Sequence, residues 1–156
     1  MQRMDGQPMA AMNGRKANKE NPMLLAHGTV IALIDGRNFE LYRNAGDEAE
    51  PQLAALTAPK LDSHNHSGGS HHSSAGNHAD SLVGEDAHAI AAIHWLNAEV
   101  LGHRIADLVV IAAPRTLGEL RKHYHKQTAG VLRKELAKDL VGRQPDAILA
   151  ALREGH

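Results

Sequence analysis

Apolar and polar residues in the first third of the chain follow the pattern of β-strands. The run LLAHGTVIALI (24–34) is mainly apolar and stops at an Asp-Gly turn signal. The next segment, NFELYR (38–43), alternates apolar residues with Glu40 and Tyr42, which is typical of a strand with one solvated face. A third apolar run, QLAALTA (52–58), follows a polar break. Three strands joined by short turns predict an antiparallel meander.

From about Glu85 to Arg104 the spacing between apolar residues is that of an α-helix and no longer that of a strand. One apolar stripe on this helix consists of Ile90, Ile93, Leu96 and Val100. The following segment DLVVIAA (107–113) is short, apolar and β-branched at its centre. Such a run predicts a buried central strand.

The last third of the chain predicts two further helices. Pro114 ends the buried strand, and Thr116-Leu-Gly-Glu119 has the spacing of a capping box, which predicts a helix from there to about Lys126. The segment VLRKELAKDL (131–140) suits either a strand or a short helix. Pro145 favours the first turn of a final helix that Gly155 ends.

The order of elements predicts an α/β fold with one mixed sheet and helices packed on it. An antiparallel three-strand meander followed by alternating helices and strands matches the ribonuclease H-like topology. We expect a polar, disordered tail at 1–22, one domain at 23–154, and a flexible loop rich in His, Ser and Gly at 59–83. Translation could start at Met23 as well as at Met1.

The composition is that of a folded protein. The chain has 156 residues, about one domain, and 42% of them are hydrophobic. The absence of cysteine excludes disulfides, thiolate metal ligands and cysteine nucleophiles. The sequence shows no signal peptide and no apolar run of membrane-spanning length, so we expect a cytoplasmic protein without a membrane partner.

Charge is unevenly distributed although the net charge is only −1. Residues 44–86 contain seven acidic residues and one basic residue, whereas residues 115–143 contain eight basic and three acidic residues. This polarity indicates an anionic partner for the second segment, and RNA or the ribosome supplies the simplest anion, phosphate. We expect no DNA partner. The alternative interpretation is a solvated face with charge complementarity inside the molecule.

The corner between the buried strand and the next helix is the best candidate for anion binding. Free N–H groups and the helix dipole favour anions at such a helix start. The candidate side chains there and further along the same segment are Arg115, Thr116, Arg121, Lys122 and Lys126. The competing interpretation is that Thr116 and Glu119 only cap the helix and that Arg115 is solvated.

A metal site is a weaker hypothesis. The candidate ligands His64, His66, His71 and His72 lie in the flexible loop, where nothing fixes their orientation, and we expect no cofactor. A nuclease would need several converging carboxylates. Asp35 is the one acid placed for that role, and its position before Gly36 indicates a turn former instead. We therefore predict no catalytic residue.

Four segments together resemble the bacterial host-attachment protein family, whose members are described as required for attachment to host cells. They are HGTVIALIDGRNFELYRNAGD, HWLNAEVLGHRIADLVVIAAPRTLGELRK, KELAKDL and QPDAILAAL. The similarity covers residues 23–152 without the 59–83 loop. That family is similar to the middle domain of archaeo-eukaryotic peptide release factors, which implies a ribonuclease H-like fold.

The resemblance also implies where release activity would reside. Release factors insert a Gly-Gly-Gln loop into the ribosomal peptidyl-transferase centre, whereas this chain has Gly68-Gly69-Ser70 at about that place. We therefore expect a non-enzymatic host-attachment-type protein that binds RNA, the ribosome or another macromolecule through residues 115–143. The alternatives are a metal-dependent hydrolase or nuclease that uses the histidine loop or Asp35, and a protein-binding adaptor.

Overall fold

The computed structural model describes residues 25–61 and 77–154, apart from the side chains of 77–83. These residues form five strands and four helices, listed here in chain order: β1 (Val30–Ile34), β2 (Phe39–Asn44), β3 (Leu53–Leu56), α1 (Asn77–Leu101), β4 (Leu108–Ala112), α2 (Pro114–Arg121), α3 (Lys126–Val131), β5 (Leu132–Ala137) and α4 (Pro145–Glu154). The predicted order of elements is confirmed, with α3 as an addition. None of the helices in the described ranges combines the length and apolar composition that crossing a bilayer requires.

The strands form one mixed sheet in the order β3-β2-β1-β4-β5. The meander β1-β2-β3 is antiparallel as predicted, and β4 pairs parallel with both β1 and β5. Every residue of β1 and of β4 is buried. The predicted buried central strand is thus confirmed, and its continuous apolar sequence reflects helices on both faces.

Two apolar clusters, one on each face of the sheet, form the core. Because successive side chains of a strand point to opposite faces, Val30 and Ala32 pack towards α1 and α2, whereas Ile31 and Leu33 pack towards α4. Three residues of the predicted α1 stripe are almost completely buried in the first cluster: Ile93, Leu96 and Val100. The sheet therefore lies between two helical layers.

One face of β2 was predicted to be solvated, and the structure shows Glu40 and Tyr42 on that face as half-buried. Tyr42 packs against the cluster under α4, and Glu40 Oε1 accepts a hydrogen bond of 3.1 Å from the N–H of Gly142. Gly142 has φ 86, a left-handed conformation that glycine adopts without steric penalty. The turn before α4 thus covers a face that alternation alone marks as polar.

Helix α1 differs from its predicted bounds at both ends. It begins at Asn77 rather than near Glu85, so residues 77–83, which we expected in the loop, are helical. It ends at Leu101, before the predicted Arg104. Residues 59–61 of the loop are described and form no helix or strand, whereas residues 62–76 and the predicted tail lie outside the described residues.

The segment between β4 and β5 contains two short helices instead of one. α2 ends at Arg121, and the predicted continuation to Lys126 is wrong because α3 starts there as a separate helix. Residues 132–137 form β5, which resolves the strand-or-helix alternative in favour of the strand. This strand supplies hydrogen-bond partners to the outer edge of β4, whose buried backbone groups need them. The predicted helix from Pro145 is confirmed, and Gly155 lies outside the described residues.

Asn44, at the end of β2, is completely buried and joins three segments of backbone. Its Nδ2 donates to the carbonyl of Leu25 at 3.0 Å and lies 3.3 Å from the carbonyl oxygen of Ala26. Its Oδ1 accepts from the N–H groups of Gly46 and Gln52, both at 2.9 Å. The side chain therefore fixes the chain entering β1 against the connection from β2 to β3.

Candidate functional site

The cations predicted to bind an anion lie along α2 and at the start of α3. Arg115 follows the first residue of α2, Arg121 and Lys122 lie at its end, and Lys126 begins α3. All four side chains belong to exposed residues, and Thr116 is half-buried. The structure thus places Arg115, Arg121, Lys122 and Lys126 in exposed positions along α2 and at the start of α3, and we call these four residues the cationic surface.

The predicted capping box at the start of α2 is wrong. The helix begins at Pro114, its N-cap is Ala113, and no side chain caps it. Thr116 therefore lies inside the first turn, and Glu119 lies towards the C-terminal end. Because proline has no N–H and Leu117 N–H already donates to Ala113, only two backbone donors of the first turn lack an intrahelical acceptor. These are the N–H groups of Arg115 and Thr116.

Arg115 is paired with a residue of the acidic segment. Its Nη2 donates to both carboxylate oxygens of Asp86 on α1, at 3.0 and 3.1 Å. Both side chains are well exposed, 55% and 34% respectively. An ion pair in such surroundings contributes only about 0–1 kcal/mol. The contact therefore orients the guanidinium without removing it from the surface.

Arg121 belongs to a three-residue cluster between α2 and the edge strand β5. Its Nε and Nη2 donate to Glu135 Oε1 at 2.9 and 2.7 Å, and the hydroxyl of Tyr124 donates to Oε2 at 2.8 Å. Burial and the hydrogen bond to the Glu135 carboxylate both raise the pKa of Tyr124 far above its ordinary value. Tyr124 is thus a neutral donor that holds the carboxylate, and Arg121 completes its hydrogen bonds.

Lys122 makes a local ion pair at the end of α2. Its Nζ lies 3.1 Å from Glu119 Oε1, and His123 Nε2 lies 3.6 Å from Glu119 Oε2. The hydrogen bond from Lys122 is the main reason why the pKa of Glu119 lies below its ordinary value. Glu119 therefore serves the end of the helix, not its start. In the described part of the chain, Lys126 makes no ion pair.

Ion pairing extends through the basic segment. Cations of this segment pair with carboxylates in the pairs Arg115–Asp86, Arg121–Glu135, Lys122–Glu119, Arg133–Asp107 and Lys138–Glu154, each within 4.0 Å. Much of the charge asymmetry is thus complemented within the molecule, as the alternative interpretation expected. The exposed cations nevertheless remain accessible, since these pairs lie at the surface.

Asp35 forms the turn between β1 and β2, as predicted. Its Oδ1 accepts from the N–H groups of Arg37 and Asn38, at 2.7 and 2.5 Å, and its Oδ2 accepts from Asn38 Nδ2 at 3.1 Å. Partial burial raises the pKa of Asp35, but these hydrogen bonds lower it by more, so the pKa lies below its ordinary value. Both carboxylate oxygens are therefore engaged by the turn.

We expect Asp35→Asn to lower the free energy of unfolding by a few tenths to about 1 kcal/mol near neutral pH. Because the pKa of Asp35 is lower in the folded chain than its unfolded value of about 3.9, the carboxylate stabilises the fold fully above that value. The stabilisation is lost as the pH falls through the folded pKa. Urea denaturation across this range should show the difference between variant and parent shrinking below about pH 4. A difference that grows on acidification would contradict the assignment, and Asp139→Asn on an exposed loop is the control.

The candidate metal ligands His64, His66, His71 and His72 lie outside the described residues. Within residues 25–61 and 84–154, whose side chains the structure describes, no group of three or more His, Asp or Glu side chains could hold a metal ion. Histidines there have structural contacts. The Nδ1–H of His88 donates to the carbonyl of Asp35 at 2.9 Å, and His125 Nδ1 accepts from the Gln127 N–H at the start of α3.

One residue helps to position the cationic surface although nothing in the sequence indicates this role. Asn97 of α1 donates through Nδ2 to the carbonyl of His123 at 3.0 Å. Its Oδ1 accepts from the His125 N–H at 3.0 Å and from the hydroxyl of buried Thr128 at 2.6 Å. The connection between α2 and α3 is thereby attached to α1. A single asparagine in a helix does not indicate such a role, since its partners are far away in the chain.

Comparison with known proteins gives the family. No curated protein sequence matches the chain. A family model described as bacterial archaeo-eukaryotic release factor family 12 matches residues 28–152, which include all five strands and most of α4. The description bears out the relation to release factors that the sequence resemblance implied, and it contains nothing about host attachment. The chain belongs to bacterial archaeo-eukaryotic release factor family 12.

Proposed function

We propose that this protein is a non-enzymatic RNA-binding member of its family that contacts RNA phosphates, including those of the ribosome, through α2 and the start of α3. The observation that carries the proposal is the exposure of the cations there. The side chains of Arg115, Arg121 and Lys122 are 55%, 58% and 68% exposed even though each touches a carboxylate.

The internal ion pairs are compatible with phosphate binding. Each exposed pair is worth about 0–1 kcal/mol, so a phosphate can replace a carboxylate at small cost. Guanidinium groups bind phosphate with two hydrogen bonds, so the arginines should contribute more to phosphate binding than the lysines. The two free N–H groups at the start of α2 lie beside Arg115 and favour the same kind of ligand.

The proposal is non-enzymatic because the chain lacks the tripeptide that release factors use. Gly68-Gly69-Ser70 has serine where glutamine would be needed. A ribonuclease H-like topology and a cytoplasmic location belong to the same proposal. The host-attachment role that the resemblance implied would then be an indirect consequence of RNA or ribosome binding.

Sedimentation with purified ribosomes through sucrose at low salt tests the proposal. The parent protein should co-sediment, and Arg115→Ala combined with Arg121→Ala should leave most of the protein in the unbound fraction while retaining measurable binding at the lowest salt. The affinity for ribosomes should fall as the salt concentration rises, and each phosphate contact contributes about 0.7–0.9 to the steepness of log affinity against log salt. The loss of two contacts should therefore make the dependence shallower by roughly 1.4–1.8. The matched control, Arg37→Ala combined with Arg153→Ala, removes two cations elsewhere and should change little.

Two outcomes would contradict the proposal. Failure of the parent to co-sediment at any salt concentration would favour the protein-binding adaptor. Equal losses in the test and control pairs would show that only overall charge matters. The hydrolase alternative is tested separately by replacing His64, His66, His71 and His72 together with Ser. If these residues are catalytic, the replacement abolishes hydrolytic activity, whereas the present proposal expects little change, including in ribosome binding.

A further inference from the structure

A groove of about 360 Å³ opens between the C-terminal half of α1 and the sheet. Its floor is apolar and includes Val30 of β1, Leu41 of β2 and Ile105, all buried. The volume lies at the lower end of the range of small-molecule sites. The groove therefore has room for a small ligand with an apolar body.

The indole of Trp95 forms one wall of this groove. Its ring meets that of Phe39 edge to face, with centroids 5.6 Å apart and an interplanar angle of 77°. This contact fixes the indole without covering it completely, since Trp95 is half-buried. A fixed and partly open aromatic ring is suited to contact with a planar or aliphatic ligand.

An internal ion pair forms part of the rim. Arg104 Nε donates to Glu99 Oε1 at 3.0 Å, so these two charges compensate each other. The guanidinium lies over Gly102, where a Cβ atom would come within 2.6 Å of it. A side chain at position 102 would therefore displace the guanidinium from its present place.

The second arginine of the rim supplies the excess charge. Arg43 Nη2 lies 3.5 Å from the carbonyl oxygen of Arg104, at the outer limit of a hydrogen bond. Among the described residues, the Arg43 guanidinium makes no ion pair with a carboxylate. With Arg104 and Glu99 compensated, the groove has one unbalanced positive charge beside an apolar floor.

We propose that this groove binds a small monoanion with an apolar or aromatic body, such as an aromatic carboxylate. Arg43 would hold the anionic group, and the floor with Trp95 would hold the body. The site is separate from the cationic surface. Arg43 pairs with Val30 at the start of β1, whereas α2 follows the opposite, C-terminal end of the adjacent parallel strand β4.

Two dyes that differ by one charge test the proposal. Anilinonaphthalene sulfonate has an aromatic body and one sulfonate, and phenylnaphthylamine is the same body without it. Trp95 is the sole tryptophan of the chain, so selective excitation of tryptophan reports binding beside it through energy transfer to the dye. The sulfonate dye should bind at one site per chain and quench Trp95.

Arg43→Gln should weaken binding of the sulfonate dye about tenfold, as expected when a charge-assisted hydrogen bond is lost. The same substitution should leave the affinity for the neutral dye within about twofold of the value for the parent protein. The matched control is Arg37→Gln, an exposed arginine at the other end of the β1-β2 hairpin, which should change neither. Thermal unfolding of each variant confirms that the fold is retained.

Three results would overturn the proposal: binding of the sulfonate dye without quenching of Trp95, an affinity that Arg43→Gln leaves unchanged, or an equal loss in the two arginine variants. The readout does not involve ribosomes. A failure here would therefore leave the proposed RNA-binding surface intact.

Discussion

Replacement of Asn44 by alanine is expected to lower the free energy of unfolding by about 3–5 kcal/mol. The change removes a completely buried side chain that donates to the carbonyl of Leu25 and accepts from the N–H groups of Gly46 and Gln52. Each buried backbone group left without a partner costs about 1–3 kcal/mol. Domains of this size are stable by about 5–15 kcal/mol, so the loss is a large fraction of the total.

Asn44→Asp sharpens the test because it retains the shape of the side chain. The aspartate keeps an acceptor for Gly46 and Gln52, but it turns an oxygen towards the carbonyls of Leu25 and Ala26, where asparagine presents its amino group. We expect a loss at least as large as that of the alanine variant near neutral pH. Acidification should reduce it, because a protonated carboxyl can donate again.

Urea denaturation of both variants measures the effect. Asn38→Ala is the matched control, because this asparagine lies in the exposed turn of the same hairpin and donates only to Asp35 through its side chain. It should cost no more than about 1 kcal/mol. An Asn44 loss as small as that of the control would show that water replaces these hydrogen bonds.

The second large effect is expected at Asn97. Asn97→Leu should lower the free energy of unfolding by about 2–4 kcal/mol, because the hydroxyl of buried Thr128 and two backbone groups of the α2–α3 connection lose their partner. Amide hydrogen exchange should show the loss locally, as faster exchange at 123–128. Ala98→Leu, at the next and exposed position of α1, should remain within about 0.5 kcal/mol of the parent.

The aspartate variants distinguish the two asparagines. At position 97 the nitrogen faces a single carbonyl and the residue is only half-buried, so Asn97→Asp keeps the two hydrogen bonds to the oxygen and its charge stays near solvent. Asn44 is completely buried and its nitrogen faces two carbonyls. Asn97→Asp should therefore be less harmful than Asn97→Leu, whereas Asn44→Asp should be no better than Asn44→Ala. The same order at both positions would contradict the assigned hydrogen bonds.

The sequence predicts the strands and most of the helices because hydrophobic periodicity is a local property. The runs that became β1 and β4 are continuous and apolar, and these strands are the two buried at the centre of the sheet. Asp35 before Gly36 is likewise local chemistry, and the turn it forms was predicted correctly. The relation to release factors followed from the resemblance of four segments to a known family, and the family match bears it out.

The helix boundaries were less accurate, again for a physical reason. The spacing of Thr116 and Glu119 fits a capping box, yet α2 starts at Pro114 because the buried strand β4 ends at Ala112. Glu119 then finds Lys122 and His123 within reach. A local motif gives way when the neighbouring element fixes where the helix can begin.

The cationic residues were identified from the distribution of charge along the sequence. Which carboxylate each of them pairs with was decided by the tertiary structure. Arg115 meets Asp86 across 29 residues of chain, and Arg121 meets Glu135 across 14. Asn97 reaches Thr128 across 31 residues. The groove beside Arg43 likewise depends on Trp95 and Arg104, which are distant in sequence.

What the sequence by itself determined is thus the kind and order of the elements, since propensity and periodicity act between near neighbours. Only the tertiary structure decided which charges are compensated, which polar side chains are buried with partners, and where a ligand could fit. Those properties depend on residues that the sheet and its two helical layers bring together, and the free energy of each contact depends on the burial that this packing creates.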